Sequence, residues 1–371
     1  MMKDQNPTTV ESHVDDAVEE SAESLRSSTV GGCILDGVNA MDPVVVCATD
    51  DRYIMPLAVT LYSAAQNLRA GRQIKLFLLD GGVTQHNKSM LKESLANLPI
   101  QFQWIKFDSN ALRQFNVSHH ISHTAYFRLL LADVLPKSVD KVIYLDCDLL
   151  VRGDLLELWE LPVESVDLWA ARDIACPYVD AQKGNANAKK SNPYLAVYRP
   201  IPNYQELGID GSAPYFNSGV LVINLERWRQ KQLSRQLLAC LKENERHVWC
   251  WDQYALNVVL HGHWKSLPMQ WNMGTHVYEY PSIKHSPIDA EEFERMANDP
   301  KIVHFTTEWK PWHFGIEHKY REAFFEALDE TAWRGWRPER PQFRMRKLVD
   351  RFMVSSIRSS TIAYRKLSSI W

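Results

Sequence analysis

The chain of 371 residues is 45% hydrophobic and 23% charged, ordinary globular values that leave room for one large α/β domain plus attachments. Its net charge of −3 conceals a polarised distribution: residues 1–41 carry −6 and residues 334–371 carry +8, leaving a mildly acidic body. Such a body, with no nucleic-acid-binding motif, speaks against a nucleic-acid partner, and no run approaches the roughly 18 apolar residues of a membrane span.

Residues 1–41, rich in Glu, Asp and Ser, are expected to be disordered. The fold should open at Pro43-Val44-Val45-Val46-Cys47-Ala48-Thr49, a buried strand that ends in Asp50-Asp51. Residues 56–68 read as a helix with Pro56 in its first turn, 73–79 as a second strand ending at Asp80-Gly81-Gly82, and 85–98 as a second helix. A third strand is expected over 101–107, a helix over 122–135 and a fourth strand over 141–145. Strands and helices alternating at this spacing predict a mostly parallel sheet with covering helices. Beyond it, 216–225 reads as a strand running into a helix over 226–242, followed by a helix over 251–260 and a late strand over 301–306. Residues 183–202, with their Asn, Lys and Pro, read as a long loop or lid.

The fourth strand, apolar and β-branched, ends in Asp146-Cys147-Asp148. In an extended chain residues i and i+2 point the same way, so both carboxylates leave the sheet edge together. Two like charges that close need a counter-charge, and a divalent cation holding a diphosphate supplies one. Three of the expected strands end in Asp at their carboxyl ends, where open α/β sheets place ligands.

Five ordered segments carry a resemblance: Ala48-Thr49-Asp50-Asp51-Arg52-Tyr53, Tyr144-Leu145-Asp146-Cys147-Asp148, Phe216-Asn217-Ser218-Gly219-Val220-Leu221, Asp252-Gln253, and His304 with Lys310-Pro311-Trp312. Over roughly residues 43–315 the chain resembles the retaining glycosyltransferases of family 8, especially the bacterial lipopolysaccharide galactosyl- and glucosyltransferases. The resemblance implies an α/β fold over 42–333, a single Rossmann-like nucleotide-sugar-binding domain of GT-A type with a mixed central sheet. It implies a UDP-hexose donor, galactose or glucose, and a glycan or glycolipid acceptor.

Asp146, Asp148 and His304 would hold the metal, and two carboxylates with one imidazole suit Mn²⁺ and tolerate Mg²⁺. Lys310 would set a point charge on the departing diphosphate, with Pro311 and Trp312 stiffening its segment and excluding water. The resemblance sets Ala48, Asp50, Asp51, Tyr53 and Cys147 among the donor-binding residues; as plain features, Asp50 and Asp51 are loop acids or a helix cap. Arg128, on an otherwise apolar helical face, reads either as half of a buried ion pair or as a group near the donor sugar. Asp173, Asn217 and Ser218 would line the sugar; a strand-end acid paired with Arg172 and a structural turn are the plain alternatives.

Asp252 and Gln253 open a helix and can face the site from its N-terminus. Gln253 is a poor nucleophile, its amide neutral and delocalised, which favours acceptor attack from the leaving-group face over a covalent sugar intermediate. Gln253 would then stabilise oxocarbenium-like charge while Asp252 orients sugar or acceptor. The family commonly reads Asp-Gln-Asp here, whereas this chain has Tyr254 third, which bears on acceptor choice.

In the tail, Arg344, Arg346, Lys347, Arg351, Arg358, Arg365 and Lys366 alternate with apolar and aromatic residues. That pattern predicts a basic amphipathic helix at an anionic membrane surface; an ordinary solvated helix is the plain alternative. Six cysteines without a CxxC pair favour a reducing compartment, and no secretory signal opens the chain. A cytoplasmic, peripherally membrane-associated enzyme is therefore expected. Competing readings are a self-glycosylating primer similar to glycogenin and a non-catalytic nucleotide-sugar-binding protein docked on a membrane.

Overall fold

Six consecutive buried residues, Val44–Thr49, form β1, and alternation sends them to opposite faces of one sheet. Val44, Val46 and Ala48 pack with Tyr126, Leu129 and Trp228 on one face. Val45 and Cys47 pack with Leu57, Leu61 and Leu91 on the other. A strand buried on both sides must lie between two layers, so the sheet is the middle of a three-layer α/β sandwich. The computed structural model describes residues 40–339, apart from 108, 110, 111, 113, 114 and 116–121. The acidic segment 1–41 therefore lies outside the described residues except for its last two positions, and the basic tail lies outside them from residue 340 onward.

After β1 come α1 (Ile54–Gln66), β2 (Ile74–Asp80), α2 (Gln85–Leu95), β3 (Ile100–Ile105) and β4 (Lys141–Leu145). The helix α1 starts two residues before Pro56, so Pro56 still falls where no backbone donor is needed. Then follow β5 (Leu149–Val151), β6 (Leu168–Arg172), β7 (Phe216–Asn224) and β8 (Trp264–Leu267). The main sheet has seven strands in the order β3-β2-β1-β4-β7-β6-β8. Its first four strands are parallel, as the alternating pattern predicts, but β7 runs antiparallel to both β4 and β6. The sheet is mixed. This reversal brings the start of β7 to the end of β4: the Asp146 N–H donates to the Gly219 carbonyl at 2.9 Å.

A second sheet, which the sequence pattern did not announce, orders β5 beside β10 (Ile302–His304) and β10 beside β9 (Met273–Gly274). It grows directly from the acidic turn after β4, and antiparallel pairing sets His304 opposite Leu149. Leu150, Val303, Phe305 and Phe324, the last on α3 (Arg321–Asp329), form a separate core beneath it.

Three expected elements differ in kind. The helix expected over 122–135 is a 3₁₀ turn, His123–Leu130, followed by one α-turn, Leu131–Val134. In 3₁₀ geometry residues i and i+3 eclipse, and Arg128 Nε accordingly donates to the Ala125 carbonyl at 2.9 Å. The helix expected over 226–242 is two, Leu225–Gln230 and Leu233–Glu243, broken at Gln232 with φ of 52°. Arg227 and Lys231 are drawn to the buried carboxylate of Asp167 at 2.8 and 2.6 Å, which favours ending the first helix there. The lid expected over 183–202 is an anchored excursion with short helical turns. Buried Asp180 holds it by accepting from Arg199 at 2.8 Å and Tyr204 at 3.2 Å. Among the described residues no helix is long and apolar enough to cross a membrane.

Candidate active site

The acidic turn after β4 obeys the strand alternation. Cys147 points inward, its thiol donating to the Ala48 carbonyl at 3.0 Å, so Asp146 and Asp148 emerge on the other side. His304 arrives from β10 with Nε2 3.2 Å from Asp148 Oδ1 and 3.7 Å from Asp146 Oδ2. One ligand atom from each of the three lies within 4.8 Å of the others.

The surroundings fit a divalent ion. His304 Nδ1–H donates to Asn272 Oδ1 at 2.8 Å, which fixes the ring and leaves Nε2 facing the two carboxylates. Gly219 keeps the space open: a Cβ there would sit 2.3 Å from His304 Cε1 and 2.8 Å from Asp146 Oδ2. Asp148 is buried, which opposes its charge, but the Lys310 ammonium at 2.7 Å and the His304 ring overcome this and hold its carboxyl well below the usual range. Lys310 is itself buried and also donates to the Phe305 carbonyl. In this structure the cation expected to meet a departing diphosphate rests on Asp148, a carboxylate of the candidate metal cluster.

A run of hydrogen bonds and ion pairs leads from this cluster through the other candidates and back to it. From Asn272 it passes to Asn217 (2.9 Å), from Asn217 to Asp173 (2.9 Å), and from Asp173 to Gln253 Nε2 (3.0 Å). Gln253 Oε1 accepts from the Ser218 N–H at 3.0 Å, and Ser218 Oγ donates to Asp252 at 3.1 Å. Asp252 pairs with Arg128 Nε at 3.0 Å, and Arg128 Nη2 returns to Asp146 at 2.8 Å. Arg128 also donates to the Ser218 carbonyl and stacks 4.5 Å over the Tyr144 ring. It is a buried ion pair, the plain reading of it, and through Asp146 it borders the candidate metal cluster. Burial disfavours its charge, yet Asp146 and Asp252 more than offset this and raise its pKa. Burial raises the Asp252 carboxyl to about 6, an effect Arg128 only partly reverses.

At the β1 edge Asp50 and Asp51 both act as turn acids. Asp50 Oδ1 accepts from the Arg52 and Tyr53 N–H groups at 3.0 and 3.2 Å, and its other oxygen pairs with Arg52. Asp51 accepts from the Thr84 N–H at 2.8 Å and Asn87 Nδ2 at 2.9 Å, which holds its carboxyl below the ordinary value and ties the two loops together. Tyr53 makes an edge contact with Trp312, centroids 6.2 Å apart, so the first and last of the five sequence segments touch.

Tyr254, in the position where the family commonly has an acid, turns away from the circuit. It is buried, and its hydroxyl donates to Asn203 Oδ1 at 2.8 Å. Asn272 is the member that sequence reasoning missed. It sits at the end of a 3₁₀ turn, Met269–Asn272, with no motif around it.

The comparisons agree with this geometry. The family model described as glycosyl transferase family 8 matches residues 44–315. General stress protein A of Bacillus subtilis is 29% identical over 293 residues, covering 78% of this chain and 94% of its own. A lipopolysaccharide 1,2-glucosyltransferase of Escherichia coli is 25% identical over 292 residues, covering 77% of each chain. The crystal structure of the galactosyltransferase LgtC with donor and acceptor sugar analogs superposes with a TM-score of 0.62 at 26% identity, covering 80% of this chain and 98% of that one. The mixed seven-stranded sheet is thus similar to the GT-A fold of LgtC, as the sequence resemblance implied. The chain belongs to glycosyl transferase family 8.

Proposed function

We propose that this protein is a retaining hexosyltransferase that moves galactose or glucose from a UDP-sugar to a saccharide or lipid-linked acceptor. The observation that carries the reading is the Asp146–Asp148–His304 cluster with Lys310 bonded to it. Two carboxylates and one oriented imidazole suit Mn²⁺, with Mg²⁺ tolerated. Held by these three, the ion would supply the positive charge that a leaving diphosphate requires.

The chain's own residues divide the remaining work. Lys310 adds a second positive charge at the same place once a phosphate draws it from Asp148. Arg128 holds Asp146 in ligand position and keeps Asp252 fixed beneath the sugar. Asp173 and Asn217 present oxygens and an amide to sugar hydroxyls. Gln253 is held at both ends of its amide, by Ser218 and Asp173, and so offers a fixed dipole beside the reacting carbon. Asp252, already engaged by Arg128 and Ser218, is poorly disposed to act as a free nucleophile. This supports attack by the acceptor from the leaving-group face, with the departing diphosphate taking its proton; a covalent glycosyl-enzyme trapped on Asp252 would refute it. The named activities of the relatives, glucosyl and galactosyl transfer, support the hexose.

UDP release from a panel of UDP-sugars, with and without Mn²⁺, tests the proposal. Turnover of one donor that needs metal and disappears in Asp148→Asn supports it. Saturable binding with no turnover in the presence of acceptor extracts would replace it with a binding protein, and hexose increments on the protein's own mass with a primer. The basic tail is proposed to hold the enzyme at anionic membrane; removing residues 338–371 should release it from anionic vesicles, and unchanged binding would refute that part.

A further inference from the structure

Arg172 ends β6 half-buried and, among the described residues, without a carboxylate partner. Its neighbour Asp173 is turned elsewhere, accepting from the Ala175 N–H at 2.8 Å, Asn217 Nδ2 at 2.9 Å and Gln253 Nε2 at 3.0 Å. The Arg172 side chain donates once among the described residues, from Nη1 to the neutral Tyr178 hydroxyl at 3.4 Å, and lies 5.4 Å from that ring. Its Nε is buried with no hydrogen-bond partner. By contrast, Arg128, Arg199 and Arg227 each meet an acid at 2.8 Å. A guanidinium has five N–H donors, and one half withdrawn from water with no acid beside it is ready to receive an oxyanion.

The register of the sheet puts this cation beside the site. Leu221 of β7 stands opposite both Tyr144 of β4 and Ala170 of β6, and both strands run antiparallel to β7. Two residues further on, Asp146 and Arg172 therefore end the same row. The period of two sends both to the face that carries Tyr144, Leu168 and Ala170. Two inter-strand spacings separate them, on the order of 10 Å. Gly219 stands by Asp146 and Phe216 by Arg172, with Asn217 and Ser218 in the irregular stretch between. A hexose ring and its substituent can bridge that distance.

We infer that the acceptor carries an oxyanion, a carboxylate or a phosphate, and that Arg172 receives it. The donor's own charge lies in its diphosphate, at the far end of the row, where the Asp146–Asp148–His304 cluster and Lys310 stand. The donor hexose is neutral, so an anion at Arg172 belongs to the second substrate. The planar fork takes a carboxylate or a phosphate through two parallel N–H···O bonds. Tyr178 supports the fork, and its hydroxyl reaches the Pro287 carbonyl at 3.4 Å, which ties that support to the segment after β9. Assigning the anion to the acceptor rests on the transferase reading; the oxyanion site itself does not.

The test is binding of matched probes to the full chain with UDP and Mg²⁺ present, read by ligand-observed NMR. The probes are methyl glucoside and methyl galactoside, the corresponding uronides and the corresponding 6-phosphates. At least one oxyanion should bind about ten-fold or more tightly than its neutral match, and carboxylate against phosphate then names the group. Arg172→Gln should erase the preference, and Arg172→Lys, which lacks the fork, should keep only part of it. Removing Arg172 orphans no acid, so both variants should fold, which thermal unfolding checks; the parent's own preference decides in any case. Equal binding of neutral and anionic probes, or a preference that survives in Arg172→Gln, would overturn the inference. So would a UDP-hexuronate preferred as donor by the parent but not by Arg172→Gln, which would move the anion to the donor. Failure to turn over any UDP-sugar would count against the transferase reading alone, since the binding comparison still decides the oxyanion site.

Discussion

Arg128 and Asp252 meet as a buried ion pair, Nε to Oδ2 at 3.0 Å, and the same guanidinium reaches Asp146 at 2.8 Å. One cation thus joins an acid of the candidate metal cluster to the acid proposed to orient the sugar. Arg128→Met leaves the buried Asp252 and the half-buried Asp146 without it, and losing the partner of a buried charge costs about 3–5 kcal/mol. Arg128→Lys keeps the charge, but a single nitrogen cannot span both partners. Urea unfolding should show the lysine variant the more stable of the two, with donor turnover low in both.

Asn272 meets His304 at the ring nitrogen away from the two carboxylates and also donates to Asn217, so its removal should loosen a bound metal without removing a ligand. Asn272→Ala is expected to raise the Mn²⁺ needed for half-maximal turnover by about 10–100-fold. Turnover at saturating metal should largely return. A metal titration reads this, and an unchanged midpoint would show that the ring is oriented by other contacts.

Gly219→Ala would drive a methyl group into the space between His304 and Asp146. Both residues belong to the candidate ligand set, so the loss should fall on metal-dependent turnover, on the order of 100-fold, before it falls on folding. Thermal unfolding measured beside turnover separates the two effects.

Asp252 gives a pH signature. Its folded-state pKa of about 6 lies above the ordinary 3.8. The stability this contributes is fully present below pH 4 and is lost as pH rises through 6, because the buried carboxyl is then forced to ionise. Asp252→Asn lacks this dependence. Its stability relative to the parent should therefore improve between pH 4 and pH 7 by up to about 3 kcal/mol, read from urea midpoints.

Tyr254→Phe removes only the hydroxyl bonded to Asn203. A cost of about 1 kcal/mol in stability with donor turnover unchanged is expected. A marked change in donor turnover would mean that this side chain reaches the circuit after all.

The parts legible in the sequence are those that local pattern controls. β1 and β4 are runs of buried apolar residues, and the period of two places Asp146 and Asp148 together on inspection. His304 and Lys310 were found by their order along the chain. What stayed hidden depends on pairing between distant segments. Asn272 acquires its partner only because β9 and β10 pair side by side. The break at Gln232 is opposed by good helix-forming residues and arises from the pull of Asp167 on Arg227 and Lys231. The 3₁₀ turn at 123–130 likewise follows where Arg128 must reach.

The excursion between β6 and β7 leaves and rejoins the sheet at one place: Arg172 stands opposite Phe216, and the Asp173 N–H donates to the Tyr215 carbonyl at 3.0 Å. A closed handle of this sort is anchored at its base, and lengthening it costs little, since closure entropy grows only with the logarithm of length. Residues 174–214 can accordingly vary in length at little entropic cost as long as Ile201, Tyr204 and Ile209 keep their places in the core, Asn203 keeps the Tyr254 hydroxyl and the Ala175 N–H keeps Asp173.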